Sequence, residues 1–150
     1  MEPLDQLAAG LPDERTENQL AKALRPLPET EKLAFITRLL ASPATVRSGL
    51  RLADRCLQSP ESMLTIITAG LDRRNISILP RWIGPFIPRV GFRTFIAYLR
   101  ERMNTDPKSV SNALYWMPEW IPLGDASAGQ LVAELEQQLK AVLRPELGTQ

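Results

Sequence analysis

The chain contains no histidine and a single cysteine, Cys56. Without histidine there is no Ser-His-Asp or Cys-His relay, no histidine metal ligand and no side chain whose ordinary titration falls near neutral pH. One cysteine closes no disulfide within the chain, and no metal or cofactor site is expected. A charge excess is lacking too: 18 Lys and Arg against 17 Asp and Glu leave a net charge of +1, which dictates neither disorder nor a polyelectrolyte partner. Long apolar runs are also missing. The most apolar stretch, 76–98, is interrupted by Arg81, Arg89, Arg93 and three prolines, whereas a membrane span needs about 20 uninterrupted apolar residues. The start, Met1-Glu2-Pro3-Leu4-Asp5, has no basic and apolar leader, so a cytoplasmic location is the expectation.

What is present suits one helical domain. A length of 150 residues with 44% hydrophobic side chains supports a sizeable core without staples. Most of the 13 prolines fall where one apolar-periodic stretch stops and another starts. Ser42-Pro43, Ser59-Pro60 and Asp106-Pro107 each place a capping side chain before a proline at the first helical position. Thr16 with Gln19, and Ser127 with Gln130, have capping-box spacing. Apolar residues recur at helical intervals, as in Phe92, Phe95, Ile96, Leu99 and Met103, and no stretch alternates with period two. This predicts an all-α chain with helices near 3–9, 17–25, 29–41, 43–57, 60–71, 75–88, 92–104, 107–121 and 127–143.

Within it lies a repeat. Residues 72–88 align with 106–122 without a gap, with Asp72/Asp106, Ser77/Ser111, Trp82/Trp116, Ile87/Ile121 and Pro88/Pro122 identical. A weaker third copy opens at Ser42-Pro43-Ala44-Thr45-Val46-Arg47. One helical pair cannot cover its apolar face until a neighbour stacks on it, so the pattern predicts an α-solenoid. These openings, Ser42-Pro43-Ala44-Thr45-Val46-Arg47 and Asp106-Pro107-Lys108-Ser109-Val110, make the chain resemble the HEAT-like repeat family. The motif's arginine is Arg47 in one copy but Ser77 and Ser111 in the others, a departure from the family's Asp-to-Arg ladder. The resemblance implies a short right-handed α-solenoid of about three to four helical pairs. Residues 1–27 would be an N-terminal cap, 28–123 the repeats, 124–144 a capping helix and 145–150 a tail. Tetratricopeptide repeats have a similar period, but their Trp, Leu-Gly and Tyr positions are not met.

The resemblance also implies that the second helix of each pair lines a concave surface. A helical wheel puts Ile76, Leu79, Ile83, Phe86 and Ile87 on one side, and Val110, Ala113, Met117, Trp120 and Ile121 on the equivalent side of the next copy. The opposite side carries Arg51, Arg55, Arg81, Arg89, Tyr115 and Glu119, with Trp82 and Trp116 at the edge. Residues 51–110 hold ten Arg or Lys against five Asp or Glu, and residues 111–150 two against five, so a basic centre meets an acidic end. Two readings of these residues stand open. The arginines are solvated faces and the tryptophans gap fillers, or both belong to a contact surface, since Trp and Arg dominate interface hot spots. The expected function is a non-catalytic adaptor whose Arg-rich face binds an acidic segment of a protein partner. The alternative is a nucleic-acid-binding module, and some HEAT-like proteins are alkylpurine DNA glycosylases, for which Glu119 beside Trp116 and Trp120 would be the carboxylate. Other short HEAT-like proteins resemble phycobilin lyases, a likeness of fold alone.

Overall fold

The computed structural model describes residues 2–148, with side chains from residue 4 to residue 143. Among the described residues the secondary structure is helix and turn, with no strand. Ten α-helices follow one another among these residues: α1 (Glu2–Ala8), α2 (Glu14–Leu24), α3 (Glu29–Leu40), α4 (Val46–Cys56), α5 (Pro60–Asp72), α6 (Leu79–Trp82), α7 (Ile87–Val90), α8 (Phe92–Arg102), α9 (Pro107–Trp120) and α10 (Ala126–Gly148). The chain divides within α5 into two compact units, 1–66 and 67–150. No described helix is long and apolar enough to cross a membrane.

In the first unit, α3 packs along α4, and α2 packs on both α1 and α4. Leu20 and Leu24 from α2, Phe35 and Ile36 from α3, and Leu52 from α4 are fully buried. Each contributes about 1.5–3 kcal/mol of burial free energy. The start of α5 is fastened by Glu29, whose carboxylate accepts the Gln58 and Ser59 amides at 2.9 and 2.8 Å. Lys32 is buried as well, and its Nζ donates to the Cys56 carbonyl at 3.1 Å, where the negative end of α4 favours a cation.

The caps follow the sequence in part. Ser59 and Asp106 open α5 and α9 as expected, accepting the amides of Ser62 and Ser109. Helix α2 begins earlier than the Thr16–Gln19 spacing suggests, because Asp13 accepts the Thr16 amide at 3.1 Å. Likewise Asp125, not Ser127, caps α10 through the Ala128 amide. Ser42-Pro43 opens a turn, and α4 starts only at Val46. The last helix continues to Gly148, through most of the stretch expected to be a tail, while residues 149 and 150 lie outside the described residues.

The largest difference concerns residues 75–88. Instead of one helix, the chain makes a 3-10 turn at Ile76–Ile78, the short α6, a second 3-10 turn at Gly84–Phe86 and the short α7. Pro80, Pro85 and Pro88 each sit at the start of one of these segments, where a missing amide is tolerated. A 3-10 turn advances about 120° per residue against about 100° for an α-helix, which rotates the buried stripe. Ile76, assigned to the packed seam, is therefore 37% exposed. Trp82, placed at the edge between the two faces and open to either a gap-filling or a contact role, is 3% exposed and lies in the core with Leu79, Ile83, Phe86 and Ile87, so it is not a partner-binding residue. Its ring fills the space left by Gly70 on α5, with the Arg73 guanidinium 5.1 Å above it.

Candidate functional site

The two first-unit arginines expected to bind a partner, Arg51 and Arg55, are already engaged. Arg51 Nε donates to both Glu17 carboxylate oxygens at 2.9 Å, and Nη2 reaches Oε2 at 2.8 Å. Glu17 is 5% exposed, so this fork compensates a carboxylate taken out of water. Arg55 Nη1 donates to Asn18 Oδ1 at 2.9 Å. Both arginines thus tie α4 to α2, and Glu17 compensates the charge of Arg51.

In the second unit a polar cluster that the sequence did not reveal surrounds Arg102, at the end of α8. Its side chain is 11% exposed. Nε donates to Ser109 Oγ at 2.7 Å and Nη1 to the Tyr98 hydroxyl at 3.2 Å. Nη2 pairs with both Asp72 and Asp106, the latter at 3.1 Å. Tyr98 in turn shares a proton contact with Thr68 on α5. A second cation, Arg74, reaches Asp106 at 3.2 Å from a left-handed backbone conformation, φ 56°. Asp72 and Asp106 are the equivalent acids of the two aligned copies, so one guanidinium joins the copies at the same register position. Thr68, Tyr98, Glu101, Arg102 and Thr105 line a depression of about 440 Å³ beside this network, but the Arg102 fork is turned onto protein acceptors.

Burial raises the Asp106 carboxyl, yet the Ser109 amide and hydroxyl and the charges of Arg74 and Arg102 outweigh it and hold it below the ordinary carboxylate value. Glu29 behaves the same way: burial raises it, and hydrogen bonds from Ser59, Gln58 and Ser62 bring it below. A carboxyl depressed on folding contributes stability above its unfolded pKa of about 4, lost as pH falls through the folded value. With no histidine to titrate, the unfolding free energy should be flat between pH 8 and pH 5 and decline below about pH 4. The Asp106→Asn variant should show a shallower decline by urea denaturation at stepped pH.

On the outer side of α9 the arrangement is different. Tyr115 is 67% exposed and stands edge-on to Trp116, with ring centroids 5.1 Å apart and planes at 85°. Trp116 is half-buried, and its Nε1 donates to the Ile76 carbonyl at 2.7 Å. Helix α6 packs on α9, and Arg81, exposed on α6, holds the register position of Tyr115. Arg81 makes no ion pair among the described residues. Lys108, Asn112, Tyr115 and Glu119 follow at helical spacing along one face of α9, with Lys108 and Glu119 exposed. Arg89 is exposed on α7. Trp120 is half-buried and packs edge-on against Phe95 at 5.9 Å, which leaves Glu119 in solvent without an aromatic enclosure from that ring.

Of the residues expected to bind a partner, the second unit thus brings Arg81, Tyr115, Trp116 and Glu119 to its surface, while Trp82 belongs to its core. Among the described residues no group of three or more His, Cys, Asp or Glu converges as a metal site. The fold and this surface define an all-α protein with a partly aromatic, partly cationic outer face. Comparison with protein-family models, with characterised proteins and with solved structures gives no match in any of the three.

Proposed function

We propose that the chain is a short α-solenoid of HEAT-like pairs acting as a non-catalytic adaptor in the cytoplasm, and that it binds an acidic segment of a protein partner. The observation that carries the repeat reading is the shared Arg102: equivalent aspartates of successive copies meet one guanidinium, and α6 lies against its repeat partner α9. The second unit exposes Arg81 on α6 and Tyr115 on α9, with Lys108 two turns before Tyr115 on the same helix. Exposed arginine and tyrosine suit a carboxylate-bearing partner. Arg51 and Arg55 enter this reading as ties within the first unit and not as contact residues.

The double variant Arg81→Glu/Lys108→Glu should lose calorimetric binding of a glutamate-rich synthetic peptide while its melting temperature stays within about 2 °C of the parent. Binding at these exposed sites depends on charge, whereas exposed substitutions change stability by less than about 0.5 kcal/mol. Unaltered peptide binding in the double variant would remove this face from consideration. Tight capture of duplex DNA at low ionic strength, released steeply by salt, would favour the nucleic-acid reading instead.

A further inference from the structure

The adaptor reading leaves the depression beside Arg102 without a role. At about 440 Å³ it has the size of a small-ligand site. Three segments of the second unit meet around it: Thr68 from α5, Tyr98, Glu101 and Arg102 from α8, and Thr105 just before the Asp106 cap of α9. Hydrogen-bond accounting shows what this lining has left to offer. Arg102 spends four of its five N–H groups on Ser109, Tyr98, Asp72 and Asp106. Thr105 gives its hydroxyl hydrogen to the Arg102 carbonyl at 3.2 Å, so its oxygen keeps only lone pairs. The Thr68 and Tyr98 hydroxyls are bonded to each other. Donors are largely consumed here, and acceptors are in surplus.

Charge points the same way. Arg102 and Arg74 are matched by Asp72 and Asp106, two cations against two carboxylates. Glu101 stands outside that balance, exposed and with no ion pair among the described residues. We infer that the depression takes a primary ammonium group on a short carbon chain, with Glu101 as its counter-charge and the Thr68, Tyr98 and Thr105 oxygens as further acceptors. An ammonium brings three donors and no acceptor, which complements this lining. An anion would instead face the Glu101 carboxylate and a guanidinium already committed to protein acceptors. Such a group is carried by a free alkylamine or by the lysine side chain of a partner. The inference is independent of the acidic-segment reading, since it uses other residues and a ligand of opposite charge.

The test titrates the isotope-labelled full chain with n-butylammonium, with a glycine-flanked lysine peptide and with 1-butanol, following the backbone amide shifts. Saturable shifts should appear around Thr68, Tyr98, Glu101 and Thr105 with the amines and not with butanol. Glu101→Gln should weaken amine binding about tenfold, its exposed position leaving the melting temperature unchanged. Thr105→Val, which keeps the charge and removes one acceptor, should weaken it by about threefold. Tighter binding of the peptide assigns the site to a partner's lysine, and tighter binding of butylammonium assigns it to a small amine. The inference is overturned if neither amine gives saturable shifts, if Glu101→Gln binds as wild type does, or if butanol binds as tightly as the amines.

Discussion

Replacing Arg102 by methionine should lower the unfolding free energy by about 3 kcal/mol, because truncating one member of a buried ion pair leaves its partners without compensation. Methionine fills the volume of the stem, so the loss isolates the guanidinium. Asp72, with a side chain 61% exposed, relaxes into water, whereas Asp106 at 13% does not. Ser109 Oγ and the Tyr98 hydroxyl lose a donor at the same time. Arg102→Lys should recover less than half of the loss, since an ammonium lacks the planar fork that reaches four acceptors from one side chain. The check is urea denaturation at pH 7 and at pH 3. The difference between wild type and Arg102→Met should narrow at the lower pH: wild type loses the stability of its depressed Asp106 carboxyl as pH falls below about 4, and the variant has less of it to lose.

At Gly70 the expected effect is of similar size and opposite in sign to what helix propensity suggests. Glycine inside a helix normally costs about 1 kcal/mol relative to alanine. Here a Cβ would stand 2.6 Å from Trp82 Cδ1 and 2.8 Å from Cγ. The indole has no room to retreat, being buried beneath the Arg73 guanidinium. Gly70→Val should therefore destabilise the chain by about 3 kcal/mol, and even Gly70→Ala should destabilise it. For a chain of this size the valine variant should melt roughly 6–12 °C lower. Combining Gly70→Val with Trp82→Leu should cost less than the two separate losses added together, since the smaller side chain vacates the contested space.

How much of this was legible beforehand follows from the range of each interaction. Helical periodicity and the Ser59-Pro60 and Asp106-Pro107 starts are local, and the all-α character follows from them. The aligned copies at 72–88 and 106–122 were visible too, but their wheel assumed α-helical rotation throughout. Three prolines broke that assumption in the first copy, which moved Trp82 inward and Ile76 outward. Glu17 and Arg51 are 34 residues apart, and nothing in their neighbourhoods announces the pairing. The Arg102 cluster does leave a signal in the sequence: Tyr98, Arg102 and Asp106 recur every four residues across the end of α8 and the cap of α9. A polar stripe carried across a helix boundary marks side chains that face another element, and Asp72 in the preceding copy supplied the counter-charge.

The bond between Trp116 and the Ile76 carbonyl has its origin in a residue far from the aromatic ring. In a continuous helix that oxygen would receive the amide hydrogen of residue 80, four positions on. Residue 80 is proline, so only the Leu79 amide arrives from within the segment, and one lone pair faces outward to meet an indole 40 residues away in the chain. Deleting one hydrogen atom from the backbone thus creates a socket for a tryptophan, and the ring's pose is set by a residue 36 positions before it in the chain.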